Sequence, residues 1–302
     1  MVSGSTPPFT TGRPAPPSPA PASTAGAGGV AGAGQLTGPG RFPAARTPFW
    51  QAGTMTTILV TGATGTLGRQ VAERLRTEGA DVRGLSRRSP SYAVDLRDGK
   101  GLDAAVEGAD VIVHCATTPR GGDDRAAGFL IDAAERAGTP HLLYISIVGV
   151  DRLPLGYYTV KRRVERMIED SGLGSTILRT TQFHDLVLRI LSGAAKLPVL
   201  PVPSGVRVQP VDSGEVADRL TALALGGPAG RVPDLGGPEV RGLTELAGTF
   251  LRATGRRRRV VPVRLAGKAY AGYRRGDHLA PGHATGTVTF EEFLDHRHRH
   301  PA

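Results

Sequence analysis

Thr61-Gly62-Ala63-Thr64-Gly65-Thr66-Leu67-Gly68 follows an apolar, β-branched run, Thr57-Ile58-Leu59-Val60, and leads into a segment with Val71 and Leu75 four residues apart. That order predicts a buried strand, a glycine turn and a helix N-terminus. Such a junction turns unpaired backbone N–H groups and the positive end of a helix dipole toward one point, where a diphosphate is favoured. Gly62 is expected to permit the tight turn, Gly65 to let the backbone approach the phosphates, and Gly68 to let the helix pack closely on the sheet. Thr64, Thr66 and Leu67 complete the expected cofactor contacts of this loop. The spacing is G-x-x-G-x-x-G, not the G-x-G-x-x-G of the usual dinucleotide fingerprint. The alternative, a glycine-rich surface loop, does not explain the flanking Ile-Leu-Val run.

Outward from this turn the pattern alternates. Residues 80–86, 92–96, 110–116, 142–148 and 175–179 read as strands, and residues 102–107, 123–137 and 157–170 as helices, with Gly138 as a stop. Alternation of this kind implies an α/β fold of Rossmann type, a doubly wound parallel sheet covered on both faces. Beyond residue 183 the rhythm loosens. Proline-rich turns at 197–203 precede an extended segment at 206–211, a helix through Val216 and Leu220, a strand at 232–235, a helix over 243–254, a basic strand at 260–264 and a last element at 290–294. The expected organisation is a dinucleotide-binding domain over 55–183 and a smaller substrate-binding lobe over 184–302, with elements partly joined to the sheet. The alternating histidines of the 296–300 tail are separated by arginines, which disfavours a metal; a frayed terminus is expected there.

Residues 1–54 contain ten Pro, ten Gly and ten Ala and no acidic residue, so they are expected to be a disordered leader. They lack the apolar stretch of a secretory signal, and Met55 stands just before the first strand, which suggests translation starting there. No stretch is long enough to cross a membrane, so no membrane partner is expected. The single cysteine, Cys115, excludes an internal disulfide and suits a reducing cytoplasm. The net charge of +10 is a weak pointer to nucleic acid: the densest run, Arg256 to Arg259, lacks interleaved aromatics and reads first as a solvated loop.

The end of the second strand reads Ser86-Arg87-Arg88, with no acid to accept from a ribose 2′-hydroxyl. A guanidinium pairs with a 2′-phosphate that a carboxylate would repel, so NADP(H) is favoured over NAD(H). The alternative is that both arginines merely decorate a loop. Asp95, next to Leu96, is placed either to accept from the adenine amino group or to cap the next helix. Ala116-Thr117 ends the fourth strand with residues small enough for a cofactor to lie against the backbone.

Thr61 to Gly68, Ser86-Arg87, Asp95-Leu96, Ile145-Ser146 and Tyr157-Tyr158-Thr159-Val160-Lys161 together resemble the short-chain dehydrogenase/reductase superfamily. With Ile177-Leu178-Arg179-Thr180-Thr181-Gln182-Phe183, the resemblance narrows to its atypical, NmrA-like branch of NAD(P)H-binding proteins. It extends from Met55 to about Leu294. It implies that Tyr157 exchanges a proton with the substrate as hydride moves, that Lys161 holds the nicotinamide ribose and lowers the tyrosine pKa, and that Ser146 bonds the substrate oxygen. Residues four apart share a helix face, and so do residues three apart, so Tyr158 stays an alternative to Tyr157. Ser146 stands 11 residues before Tyr157, a closer spacing than is usual in the superfamily. His184 either faces the nicotinamide pocket or makes a loop contact. Two functions follow. One is an NADP(H)-dependent oxidoreductase acting on a small carbonyl or quinone-like molecule; the other is a non-catalytic redox sensor with a protein partner. Sugar-nucleotide epimerisation is a weaker third, given so small a C-terminal lobe.

Overall fold

The computed structural model describes residues 55–118 and 121–299. The leader therefore lies outside the described residues. In chain order the first half comprises β1 (Thr57–Thr61), α1 (Thr66–Thr77), β2 (Asp81–Ser86), β3 (Tyr92–Ala93), α2 (Leu102–Val106), β4 (Val111–His114), α3 (Asp123–Ala137), β5 (His141–Ile147), α4 (Gly156–Asp170) and β6 (Gly174–Thr180). There follow α5 (His184–Ala194), β7 (Val199–Pro203), β8 (Arg207–Val208), α6 (Ser213–Ala224), β9 (Gly230–Arg231), β10 (Arg241–Gly242), α7 (Leu243–Ala253), β11 (Arg259–Val263), α8 (Lys268–Arg275) and α9 (Phe290–Arg299).

The central sheet has the order β3-β2-β1-β4-β5-β6-β9, and every pairing in it is parallel. Period-two alternation sorts its side chains between two cores. Leu59, Ile112, Leu142 and Ile177 meet α2, α3 and α4 on one face, while Ile58, Val60, Val113 and Leu143 meet α1 and α6 on the other. The sheet is thus buried on both sides, as continuous apolar strands require. The order reverses at β1, between β2 and β4, so the β1–α1 turn opens at the switch point where such folds bind ligands.

Two later elements return to this sheet. α6, capped by Asp212 accepting from the N–H groups of Gly214 (2.7 Å) and Glu215 (3.3 Å), packs beside α1, and β9 pairs with β6. The remaining elements enclose a third core around Leu191, Leu200, Val202, Leu246 and Phe250. It is built on the parallel β7–β11 pair and the antiparallel β8–β10 pair.

Several sequence expectations are corrected. The 232–235 strand is absent: Pro233 lacks an N–H, and only Gly230–Arg231 form a strand, with the N–H groups of Val232 and Leu235 donating to Ile177 and Arg179. The expected extended segment at 206–211 shortens to β8. Most of the proline-rich stretch at 197–203 is β7, with β11 as its one strand partner among the described residues. The tail is helical through Arg299 instead of frayed. Among the described residues no helix is long and apolar enough to cross a membrane.

Candidate cofactor and substrate cleft

Three contacts shape the glycine turn. Gly62 has φ +68, and a Cβ there would stand 2.9 Å from the backbone of Ala116. The Gly65 N–H donates to the Gly62 carbonyl at 2.8 Å. A Cβ on Gly68 would run into that same carbonyl, so the close packing this glycine permits is helix against turn. α1 then begins at Thr66 with no side-chain cap and no acid in its first turn. Its leading N–H groups therefore stay available to an anion. The turn forms one wall of a cleft of about 750 Å³, lined by both Gly65 and Lys161. Loop, helix end and absent Cβ atoms together fit a dinucleotide diphosphate.

At one end of the cleft stand Ser86, Arg87, Arg88, Asp95 and Leu96. Thr64 Oγ1 donates to Ser86 Oγ at 3.1 Å, and the Arg88 N–H donates to the same oxygen at 3.2 Å. This ties the glycine loop to the end of β2. Arg87 lines the cleft and makes no hydrogen bond or ion pair among the described residues, although its charge reaches Asp95. Asp95 is held by Arg97, Nε at 3.0 Å and Nη2 at 2.6 Å, and that contact keeps its carboxyl well below the usual carboxylate range. It does not cap α2, whose N-cap is Gly101.

At the other end lie Ser146, Tyr157, Tyr158 and Lys161. The Tyr157 hydroxyl is 2.8 Å from Thr117 Oγ1, and Thr117 donates in turn to Asp123. The Thr118 N–H secures the other Asp123 oxygen at 2.9 Å. Because Thr117 gives its proton to the carboxylate, it accepts from Tyr157. Lys161 is buried; its Nζ donates to the Ile145 carbonyl at 3.2 Å and lies 4.7 Å from the centre of the Tyr144 ring. Burial lowers its pKa to about 8. Burial raises the Tyr157 phenol and the Asp123 carboxylate raises it further, with Lys161 not among the groups acting on it. Tyr158 is more deeply buried, 3.4 Å from the Tyr273 hydroxyl, and is pushed up by burial and by that neighbour. Ser146 Oγ is buried without a hydrogen-bond partner of good geometry, although it lies near Glu165.

A buried ion network orients the helix that carries these groups. Arg179 on β6 donates from Nε (2.7 Å) and Nη2 (2.6 Å) to the two oxygens of Glu165 on α4, and from Nη1 (2.9 Å) to Asp151. Glu165 stands one turn beyond Lys161 on the same helix face. Burial would raise the Glu165 carboxyl, but the Arg179 guanidinium brings it below its ordinary value.

Sequence reasoning missed Thr117 as a partner of Tyr157, together with Asp123, Gln182, Arg189 and Tyr273, of which all but Asp123 come from elements separated from the motif they face. Each lines the cleft. Thr117, six residues before the acidic pair Asp123-Asp124 that opens a helical pattern, was the one available signal. His184 does not line the cleft: its Nε2 is 2.9 Å from the Val288 carbonyl, and its ring stacks on Phe293 at 5.1 Å, fastening α5 to α9. Among the described residues no cluster of His, Cys, Asp and Glu has metal-binding geometry.

The family model described as NAD(P)H-binding matches residues 62–186. A reductase of Streptomyces griseus, (4-alkanoyl-5-oxo-2,5-dihydrofuran-3-yl)methyl phosphate reductase, is 32% identical over 213 residues, covering 66% of this chain and 74% of that protein. Quinone oxidoreductase 2 of Escherichia coli is 26% identical over 221 residues, covering 66% and 75%. A crystal structure of the E. coli NADPH-dependent quinone oxidoreductase QOR2 with NADPH superposes with a TM-score of 0.69 at 22% identity, over 79% of this chain and 99% of that one. The chain spans only 20% of the length of the mycobacterial relatives that match it at 33% identity. A turn that excludes side chains where a diphosphate would sit, and likeness along most of a reductase, make this chain a member of the NAD(P)H-binding family.

Proposed function

We propose that the protein is an NADPH-dependent reductase delivering hydride to a small carbonyl or quinone-like electrophile. The observation that carries this reading is that Tyr157, Lys161 and Ser146 line the same cleft as the glycine turn. The S. griseus and E. coli relatives, named as a reductase and a quinone oxidoreductase, support the reaction class. Nicotinamide, when bound, supplies the hydride. Tyr157 gives its proton to the substrate oxygen, so that hydride and proton together complete the two-electron reduction. Thr117, fixed by Asp123, holds the phenol in position. Lys161, with a pKa of about 8, is mostly cationic at neutral pH and holds the ribose hydroxyls. Ser146, whose Oγ makes no hydrogen bond of good geometry though it lies near Glu165, donates to the substrate oxygen. The lobe around Leu191 and Phe250 closes the substrate end through α5, whose Leu186 and Arg189 line the cleft. A cytoplasmic setting belongs to the same proposal, in keeping with the free Cys115.

NADPH oxidation against a panel of quinones and aldehydes tests this directly. Tyr157→Phe is expected to slow turnover roughly a hundredfold, the lower range for loss of a general acid. Turnover that survives Tyr157→Phe, Tyr158→Phe and the double substitution would rule the tyrosine mechanism out. Preference for NADPH rests on Arg87. Arg87→Ala should weaken NADPH binding by roughly tenfold to a hundredfold, the range for one charged hydrogen bond. It should leave NADH nearly unchanged in calorimetry; equal losses would contradict a 2′-phosphate contact.

One observation favours the second reading, a cofactor-binding redox sensor of the kind the NmrA-like resemblance implies. The Tyr157 proton is directed to Thr117, and Lys161 to a backbone carbonyl. Tight NADPH binding with no turnover on any substrate of the panel would decide for it.

A further inference from the structure

The positive charge of this chain is concentrated in one place. Residues 186–204 and 254–268 hold eight Arg and Lys and no Asp or Glu, while the other residues together net only +2. All eight are exposed, and none forms an ion pair among the described residues. Elsewhere the pattern differs: Arg74, Arg136, Arg163 and Arg241, for example, each sit on a carboxylate. Among the described residues the same two segments carry four of the five exposed large apolar side chains: Ile190 (55%), Leu197 (50%), Val199 (41%) and Leu265 (52%).

The fold brings the segments together. β7 and β11 pair in parallel, with Val199 opposite Arg259 and Pro203 opposite Val263. Arg258 Nε donates to the Leu197 carbonyl at 3.1 Å. Lys196, Leu197 and Val199 therefore adjoin the Arg256–Arg259 run, and Arg264 and Leu265 continue from the far end of the same pair, about 17 Å along. α5, which leads into β7, also supplies Leu186 and Arg189 to the cleft.

We propose that this face docks the protein on an anionic lipid surface. Cations with no internal counter-ion complement acidic headgroups, and interspersed Leu, Ile and Val enter the boundary between headgroups and acyl chains. A platform for single-stranded nucleic acid would offer aromatic rings for stacking instead of aliphatic ones, and phosphate contacts to a duplex would give the exposed Leu, Ile and Val side chains no apolar partner. Peripheral docking needs no membrane-spanning helix. The inference is independent of the catalytic reading, because Leu197, Arg257, Arg259 and Leu265, on which its test rests, lie outside the cleft, which Arg189 alone of the eight cations borders.

Flotation of the full chain with vesicles tests it. The protein should float with phosphatidylcholine vesicles that contain phosphatidylserine, stay behind with phosphatidylcholine alone, and be released by salt. Each basic residue near such a surface is worth about fivefold in partition, so Arg257→Gln with Arg259→Gln should weaken it roughly 25-fold. Leu197→Ser with Leu265→Ser should weaken it further. Unchanged NADPH binding and circular dichroism would show that the variants remain folded. Absence of flotation with phosphatidylserine vesicles, or equal flotation of the arginine variant, would overturn the proposal. So would binding of single-stranded RNA, sensitive to the arginine substitutions, without vesicle binding.

Discussion

Arg179→Ala is expected to destabilise the protein by about 3–5 kcal/mol, the range for breaking a buried ion pair by removing one partner. Arg179 is 3% exposed and Glu165 is fully buried, so truncation leaves a carboxylate without its bidentate partner and without water. Arg162 remains 2.9 Å from Glu165 and keeps the loss toward the lower end. The penalty belongs to the orphaned charge more than to the pair itself. Replacing both residues by apolar ones of similar size, Glu165→Leu with Arg179→Met, should recover much of the stability lost. Urea denaturation of wild type, single and double variants checks this; a single-variant loss below about 1 kcal/mol would show that the network is dispensable. A functional consequence should accompany it. Glu165 fixes the rotation of α4, and with it the direction of Lys161 and Tyr157, so NADPH binding should weaken in the single variant even where the protein stays folded.

What could be read from the chain, and what could not, divides along the line between local and distant interactions. The β1 turn is local: a β-branched run, glycines at fixed offsets and a helical apolar repeat lie within about twenty residues, and the structure has strand, turn and helix there. The buried strands β4, β5 and β6 announce themselves by apolar runs, because both of their faces are covered. α5 gives no such notice. Its N-cap is Phe183, without a side-chain cap, and apolar residues at 186, 187, 188, 190 and 191 spread around the helix, since it packs on the lobe and borders the cleft at once. β7 is obscured by Pro201 and Pro203, which suggest turns; proline is tolerated there because, among the described residues, the strand pairs only with β11. At the site, the spacing of Tyr157 and Lys161 is written in one helix. The partner of the tyrosine is not: Thr117 reaches it from the β4–α3 connection, 40 residues away. The direction of the Tyr157 proton, and the rise in its pKa, therefore depend on Asp123 and burial, neither of which a helical repeat encodes.

Acid should unfold this protein well above the pH at which carboxylates titrate. His114, His141 and His278 are all buried. Burial, the leading cause in each case, lowers their pKa values to about 3, 4 and 4. Each is accommodated as a neutral ring. His114 Nδ1 meets Thr61 Oγ1 at 2.7 Å, His141 Nε2 meets Thr176 Oγ1 at 2.9 Å, and His278 Nε2 meets the Arg207 carbonyl at 2.8 Å. The folded-state values lie below the unfolded one of about 6.5, so as pH falls the unfolded chain takes up protons that the native state refuses. Stability is therefore full above about pH 6.5 and is lost progressively down to the folded values. At about pH 5 each histidine should cost about 2 kcal/mol relative to neutral pH, and the three together about 6 kcal/mol, a large part of the stability of an ordinary domain. His184 is shifted in the same direction by its burial and adds to the effect. Carboxylates held low by arginines, Glu165 among them, act with the same sign but only at lower pH. Urea midpoints at neutral pH and at about pH 5 measure the difference. His141→Gln, which keeps a polar side chain but cannot titrate, should shrink it by about 2 kcal/mol. A pH dependence identical in wild type and variant would mean that His141 is protonated in the native state, and that the β5–β6 seam tolerates a charge its apolar surroundings should exclude.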